Sequence, residues 1–190
     1  MPRAIKRAPK PEVTTSKALS LMALPGDGSI ATRKIAVLIA NGMIGTGMET
    51  LIQALQKVGA VPRLIGSRLG TVTGRAGEKF EVDATLENSP AVLFDALVLP
   101  DGAEAVAALE RDGHSMEFLK DQYRHCKSIL VIGAASQLLE KAKIPSMLPG
   151  GDPDPGVLLA ASPTKVDPRA FITAIAQHRH PLRDSDPPLI

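Results

Sequence analysis

The sequence predicts an α/β domain built on a mostly parallel sheet covered by helices on both faces. Three observations predict it. Short continuous apolar runs, such as Lys34-Ile35-Ala36-Val37-Leu38-Ile39-Ala40 and Ser128-Ile129-Leu130-Val131-Ile132, read as strands buried on both sides. These runs alternate with stretches of helical apolar spacing, as strand–helix units do. Aromatic residues make up 3% of the chain while hydrophobic residues make up 44%, so the core is aliphatic. That balance disfavours an all-β sandwich and a base-stacking surface.

Residues 1–30 read as a linker rich in Pro, Lys, Ser and Thr, ending in the turn-like Pro25-Gly26-Asp27-Gly28. Its basic residues are interrupted by Pro2, Pro9 and Pro11 and carry no aromatics, which marks a solvated tail rather than a nucleic-acid grip. One apolar island, Ala18-Leu19-Ser20-Leu21-Met22-Ala23-Leu24, calls for a surface to pack on. The domain proper spans 31–180. Its first strand, over 34–40, ends at Asn41-Gly42. Met48, Leu51, Ile52, Leu55 and Val58 then give an amphipathic helix stopped by Gly59. Residues 60–65 form a second strand, with Pro62 suited to a strand start or an edge. Short β pieces around Gly74 and Gly77 predict a hairpin within 70–86. Ala96-Leu97-Val98-Leu99 is a third core strand, closed by Pro100-Asp101-Gly102. Helices over 103–109 and 115–125 lead to the strand 128–132 and the turn at Gly133. A helix over 134–143 and a strand over 156–160 follow. Asp167 caps a last helix with Pro168 at its first position. The proline-rich segment 181–190 is expected to fray.

The formal net charge is +2, and Cys126 is the single cysteine, so no intrachain disulfide forms. No apolar run is long enough for a membrane span, and the N-terminus shows no secretory signal. The expected setting is cytoplasmic, with neither membrane nor nucleic acid as partner.

In open α/β sheets ligands sit at the carboxyl ends of strands. Three such ends matter: Asn41-Gly42, Asp101-Gly102 and Gly133-Ala134-Ala135-Ser136. The third has the shape of a nucleophile elbow, yet Ala134 and Ala135 offer no thiol, hydroxyl or base. Ser136 is the nearby nucleophile candidate but lacks the Gly-x-Ser-x-Gly frame, and reads as a first-turn or capping serine. Glu49, just after the first strand's loop, could reach the elbow or lie on the surface. Cys126 stands between His125 and Lys127, whose side chains point elsewhere, and reads as an inert thiol. His178 and His180, flanking Arg179, stand two apart and share no helix face, so no metal site is expected. Gly42, Gly45 and Gly47 do not form a dinucleotide or P-loop motif.

The first strand Arg33–Gly42, the helix opening Met48-Glu49-Thr50 and the elbow at Gly133 resemble the class I glutamine amidotransferase-like, PfpI-like superfamily. That resemblance implies a flavodoxin-like three-layer α/β/α fold. It places the family's elbow cysteine at Ala134, the frequent histidine after it at Ala135, and the acidic partner at Glu49. A narrower pattern is similar to the C-terminal domain of large-subunit catalases. It comprises Ala18-Leu19-Ser20, Pro90-Ala91-Val92-Leu93-Phe94-Asp95-Ala96, Asp154-Pro155-Gly156-Val157 and the closing Phe171-Ile172 to Gln177-His178-Arg179-His180. Where that family often has Trp next, this chain has Pro181. The resemblance implies a non-catalytic domain with a structural or docking role and no cofactor of its own. It implies a haem catalase core as partner in cis, in a homotetramer that decomposes hydrogen peroxide. Haem is expected in that core alone, since the single tyrosine, Tyr123, falls in a predicted surface helix. The alternatives are a PfpI-like hydrolase or deglycase and a small-ligand-binding module.

Overall fold

The computed structural model describes residues 10, 12–13, 16, 18–20, 27–185 and 190. Leu21, Met22 and Leu24 of the linker island lie outside the described residues, whereas Leu19 is exposed.

Among the described residues, eight strands and five α-helices follow in the order β1 (Lys34–Leu38), α1 (Met48–Lys57), β2 (Val61–Gly66), β3 (Thr71–Thr73), β4 (Lys79–Glu81), β5 (Ala84–Thr85), β6 (Ala96–Leu99), α2 (Ala103–Arg111), α3 (Gly113–Arg124), β7 (Ser128–Ile132), α4 (Ser136–Ala142), β8 (Val157–Ala160) and α5 (Pro168–Ala176). Six strands form one sheet in the order β5-β2-β1-β6-β7-β8, every neighbour parallel. β3 and β4 pair antiparallel as the expected hairpin, Val72 opposite Phe80. The hairpin strands stand apart from the main sheet, and β5 joins its edge through Ile65↔Ala84 and Gly66↔Thr85. Pro62 lies where β2 has a partner strand on one side, so its missing N–H costs no ladder bond.

The pleat explains why the central runs are apolar throughout. Ala36, Leu38, Leu97, Leu99, Ile129 and Val131 face one layer with α2, α3 and α4, against Val106, Leu109, Phe118, Leu119, Leu138 and Leu139. Ile35, Val37, Ile39, Val98, Leu130 and Ile132 face the other, against Met48, Leu51 and Leu55 of α1 and Phe171 and Ile175 of α5. Both faces are dry, which gives the three-layer, flavodoxin-like sandwich.

Local chemistry sets the helix ends. Asp112 accepts from His114 N at 2.9 Å to open α3. Asp167 accepts from Arg169 N at 2.9 Å to open α5, with Pro168 first in the helix.

The segment after His180 departs from the expected frayed tail. Residues Pro181–Arg183 form a 3-10 turn, and Arg183 is buried at 3% exposure. Its Nη1 donates to Lys127 O at 2.8 Å and its Nη2 to Asp154 Oδ1 at 2.9 Å, and its Nε lies 2.9 Å from Asp154 Oδ2. A buried ion pair thus holds residues that composition alone marks as loose.

Candidate functional site

The three strand ends converge as the topology requires. Ile44 N donates to Asp101 O at 2.9 Å, and Ala134 N donates to Asp101 Oδ1 at 2.9 Å. A Cβ on Gly102 would come 2.6 Å from Gly42 O, so two of the loops touch backbone to backbone. The hairpin closes over them: Gly42 N donates to Thr73 O, Thr73 N to Asn41 Oδ1 and Arg75 N to Met43 O. Gly47, which opens α1 at φ +88°, has the Pro163 carbonyl against it.

The elbow itself is a 3-10 turn, Gly133–Ala135, running into α4. Its left-handed residue is Gly133, at φ +54°, a conformation that glycine adopts without strain. In active hydrolases with such an elbow the nucleophile takes that strained position at the top of the turn. The resemblance assigns the nucleophile's position to Ala134, one residue later than the left-handed one. A Cβ built on Gly133 would overlap the Asp101 carboxylate. That carboxylate accepts from Gly102 N at 2.7 Å as well as from Ala134 N. The volume beside the turn is therefore filled by the Asp101 side chain, already held on two backbone amides.

The other candidates are dispersed. Ser136 is exposed at the first position of α4, a first-turn serine. Ala134 is half-buried and Ala135 fully buried. Glu49 is exposed and accepts from Gln53 Nε2 one turn along α1 at 3.2 Å. Cys126 is buried in a left-handed turn at φ +56°, and burial pushes its thiol above the ordinary value, which suppresses thiolate.

The two closing histidines diverge. His178 Nδ1 lies 2.7 Å from Arg33 Nη1, and Arg33 lies 3.6 Å from Asp95. His180 is buried with Nε2 3.0 Å from Ser128 Oγ. Burial, then the neighbouring arginines, holds both imidazoles below their ordinary pKa. Among the described residues no group of three His, Cys, Asp or Glu could hold a metal. Tyr123, expected on a surface helix, is 3% exposed, with the Arg183 guanidinium 4.7 Å from its ring centroid. Packed in that way, it does not fit the role of a haem-iron ligand.

Sequence reasoning missed the buried charges, Arg183 and Asp154 beside Tyr123 and Lys127 beyond them. Lys127 is 5% exposed, and its Nζ donates to Ala91 O at 3.1 Å and to Phe94 O. Burial is the main cause of its lowered pKa. The one available signal was a lysine directly before an otherwise apolar strand.

Comparison with known proteins agrees with this architecture. The Drosophila melanogaster DJ-1beta structure superposes with a TM-score of 0.64 at 20% identity, covering 78% of this chain and 91% of that one. A ThiJ/PfpI domain protein from Brachyspira murdochii gives 0.63 at 18%, covering 77% and 95%. Catalase HPII of Pseudomonas aeruginosa is 34% identical over 171 residues, 90% of this chain and 23% of that protein. Catalase-2 of Bacillus subtilis is 30% identical over 177 residues, 92% of this chain and 24% of that protein. The chain thus spans about a quarter of the length of these relatives. Among the described residues no helix is long and apolar enough to cross a membrane. With residues 31–184 matching the C-terminal domain found in long catalases, on a fold shared with the DJ-1 and PfpI proteins, the chain belongs to that C-terminal domain family.

Proposed function

We propose that this chain is a non-catalytic domain of a long, cytoplasmic haem catalase, supplying stability and docking rather than turnover. The observation that carries the reading is the pairing of Gly133 with Asp101. The left-handed turn residue has no side chain, and the space for one is taken by a carboxylate held on Gly102 N and Ala134 N. On this reading Gly133, rather than Ala134, stands where an active relative would carry its nucleophile. The retained acid Glu49 then has nothing to activate. Haem and peroxide chemistry belong to the upstream core, met in cis within a homotetramer. The linker island around Leu19 supports a tethered arrangement, because an exposed apolar side chain in a polar linker gains by burial on a neighbour.

The test is labelling with thiol- and serine-directed activity probes, with esters and glycated amines as trial substrates. No labelling at 133–136 and no turnover are expected. Stoichiometric labelling of Ser136 that disappears in Ser136→Ala would overturn the proposal in favour of a PfpI-like hydrolase.

A further inference from the structure

Two turns at the amino end of the sheet hold large apolar side chains out in solvent. Val92 and Leu93, in the 3-10 turn Ala91–Leu93, are 69% and 49% exposed, and Leu182 in the turn Pro181–Arg183 is 71% exposed. Both turns are fastened to one residue. The Lys127 ammonium is buried to bind the carbonyls of Ala91 and Phe94, and the Lys127 carbonyl accepts from buried Arg183. Gln122 Nε2 adds a second bond to Ala91 O at 2.7 Å. Burying an ammonium and a guanidinium is costly, and here it fixes the display of three apolar side chains that gain nothing from water. A rigid apolar display of this kind is the usual core of a docking surface.

The course of the chain says what covers it. Asp95, next to this turn, accepts from Lys34 N at 2.9 Å and stands 3.6 Å from Arg33. Asp27, Ser29, Ala31, Thr32, Arg33 and Asp95 line an open surface depression there. The polypeptide preceding the domain therefore leaves from the same end of the sheet. The matching family is a C-terminal domain, so about three quarters of each long relative precedes the matched region.

We infer that the amino end of the sheet, through Val92, Leu93 and Leu182, is the surface on which this domain docks onto the upstream core of its own polypeptide. The inference rests on the proposed role as a domain of a long catalase. A tether that emerges beside the patch keeps the upstream core near it, so modest apolar contacts suffice.

The test uses the reading frame that contains this chain, expressed with all that precedes it. Three proteins are compared by the half-life of peroxide turnover on heating: the intact product, one lacking residues 27–190, and one carrying Val92→Asp, Leu93→Asp and Leu182→Asp. The deletion and the triple variant are expected to shorten the half-life alike, by roughly threefold or more. The isolated chain carrying the triple substitution should keep its melting temperature, because the three side chains are exposed. If deletion shortens the half-life and the triple variant does not, the docking face is wrong and the stabilising role stands. If no upstream core is encoded, or deletion changes nothing, the underlying role falls and the face with it. Self-association of the isolated chain that the triple variant abolishes would assign the surface to a second copy and overturn the inference.

Discussion

Gly133 and Asp101 compete for one volume. A side chain at 133 meets a left-handed backbone and a carboxylate together. Gly133→Ala should therefore cost about 2–4 kcal/mol in urea unfolding, more than the roughly 1 kcal/mol of conformation alone. Asp101→Gly should be mildly destabilising alone yet return part of the loss in the double variant, by about 1–2 kcal/mol of coupling. Purely additive losses would show that the two groups do not share the space. Arg183 and Asp154 make the opposite case, of two groups that need each other. Their side chains are 1% and 0% exposed, so Arg183→Met leaves a lone buried carboxylate and should cost about 3–5 kcal/mol. Adding Asp154→Asn should cost much less than a second such loss. The small residues of the turn were legible in Gly133-Ala134-Ala135-Ser136, because they are four consecutive letters. The carboxylate that fills it was not, since Ala134 meets Asp101 through a contact far apart in sequence.

At the scale of elements, α5 and the segment behind it behave as one unit. The helix ends in left-handed His178 beside Arg33. His180 N then donates to Cys126 O, and Arg183 closes on Asp154. The two histidines make this unit sensitive to acid. Their folded pKa values are lowered, so the unfolded chain binds protons more readily near its ordinary value of about 6.5. Their contribution is complete above that value and is lost as pH falls below it towards the folded values. The groups facing His180 are Ser128, Arg183 and Asp154, and those around His178 are Arg33, Arg179, Asp95 and Lys127. The melting temperature is expected to drop between pH 7.5 and 5.5, and His180→Gln should flatten that drop. An unchanged slope would mean that His180 is not a source of it. The helices and the main-sheet strands other than β5 were readable from periodicity, with Asp167 as the foreseen cap of α5. The clasp after His180 was not, because Pro181-Leu182-Arg183 carries the composition of a loose tail and its order comes from tertiary ion pairing.

For the molecule as a whole, a mostly parallel sheet was legible because strands buried on both faces cannot hide their apolar runs. The strand order was not, since parallel neighbours share no turn that could announce them. The burial of Tyr123, the single tyrosine, under the Arg183 guanidinium makes a molecular prediction. The isolated chain mixed with haemin should give a broad Soret band without stoichiometric uptake and should evolve no oxygen from peroxide. A sharp one-to-one band would contradict it. The parallel order also has a kinetic side. β1 sits at the centre, and Ile35 is laddered to Val61's neighbour Pro62 on one flank and to Ala96 on the other. None of the main-sheet pairings is a hairpin, so each waits for a long crossover to be made before its hydrogen bonds repay the lost chain entropy. The run Lys34–Leu38 thus stays unpaired on one flank until α1 and β2 have been made, and on the other until β6 arrives, and this domain is expected to fold slowly, with an appetite for chaperones on the way.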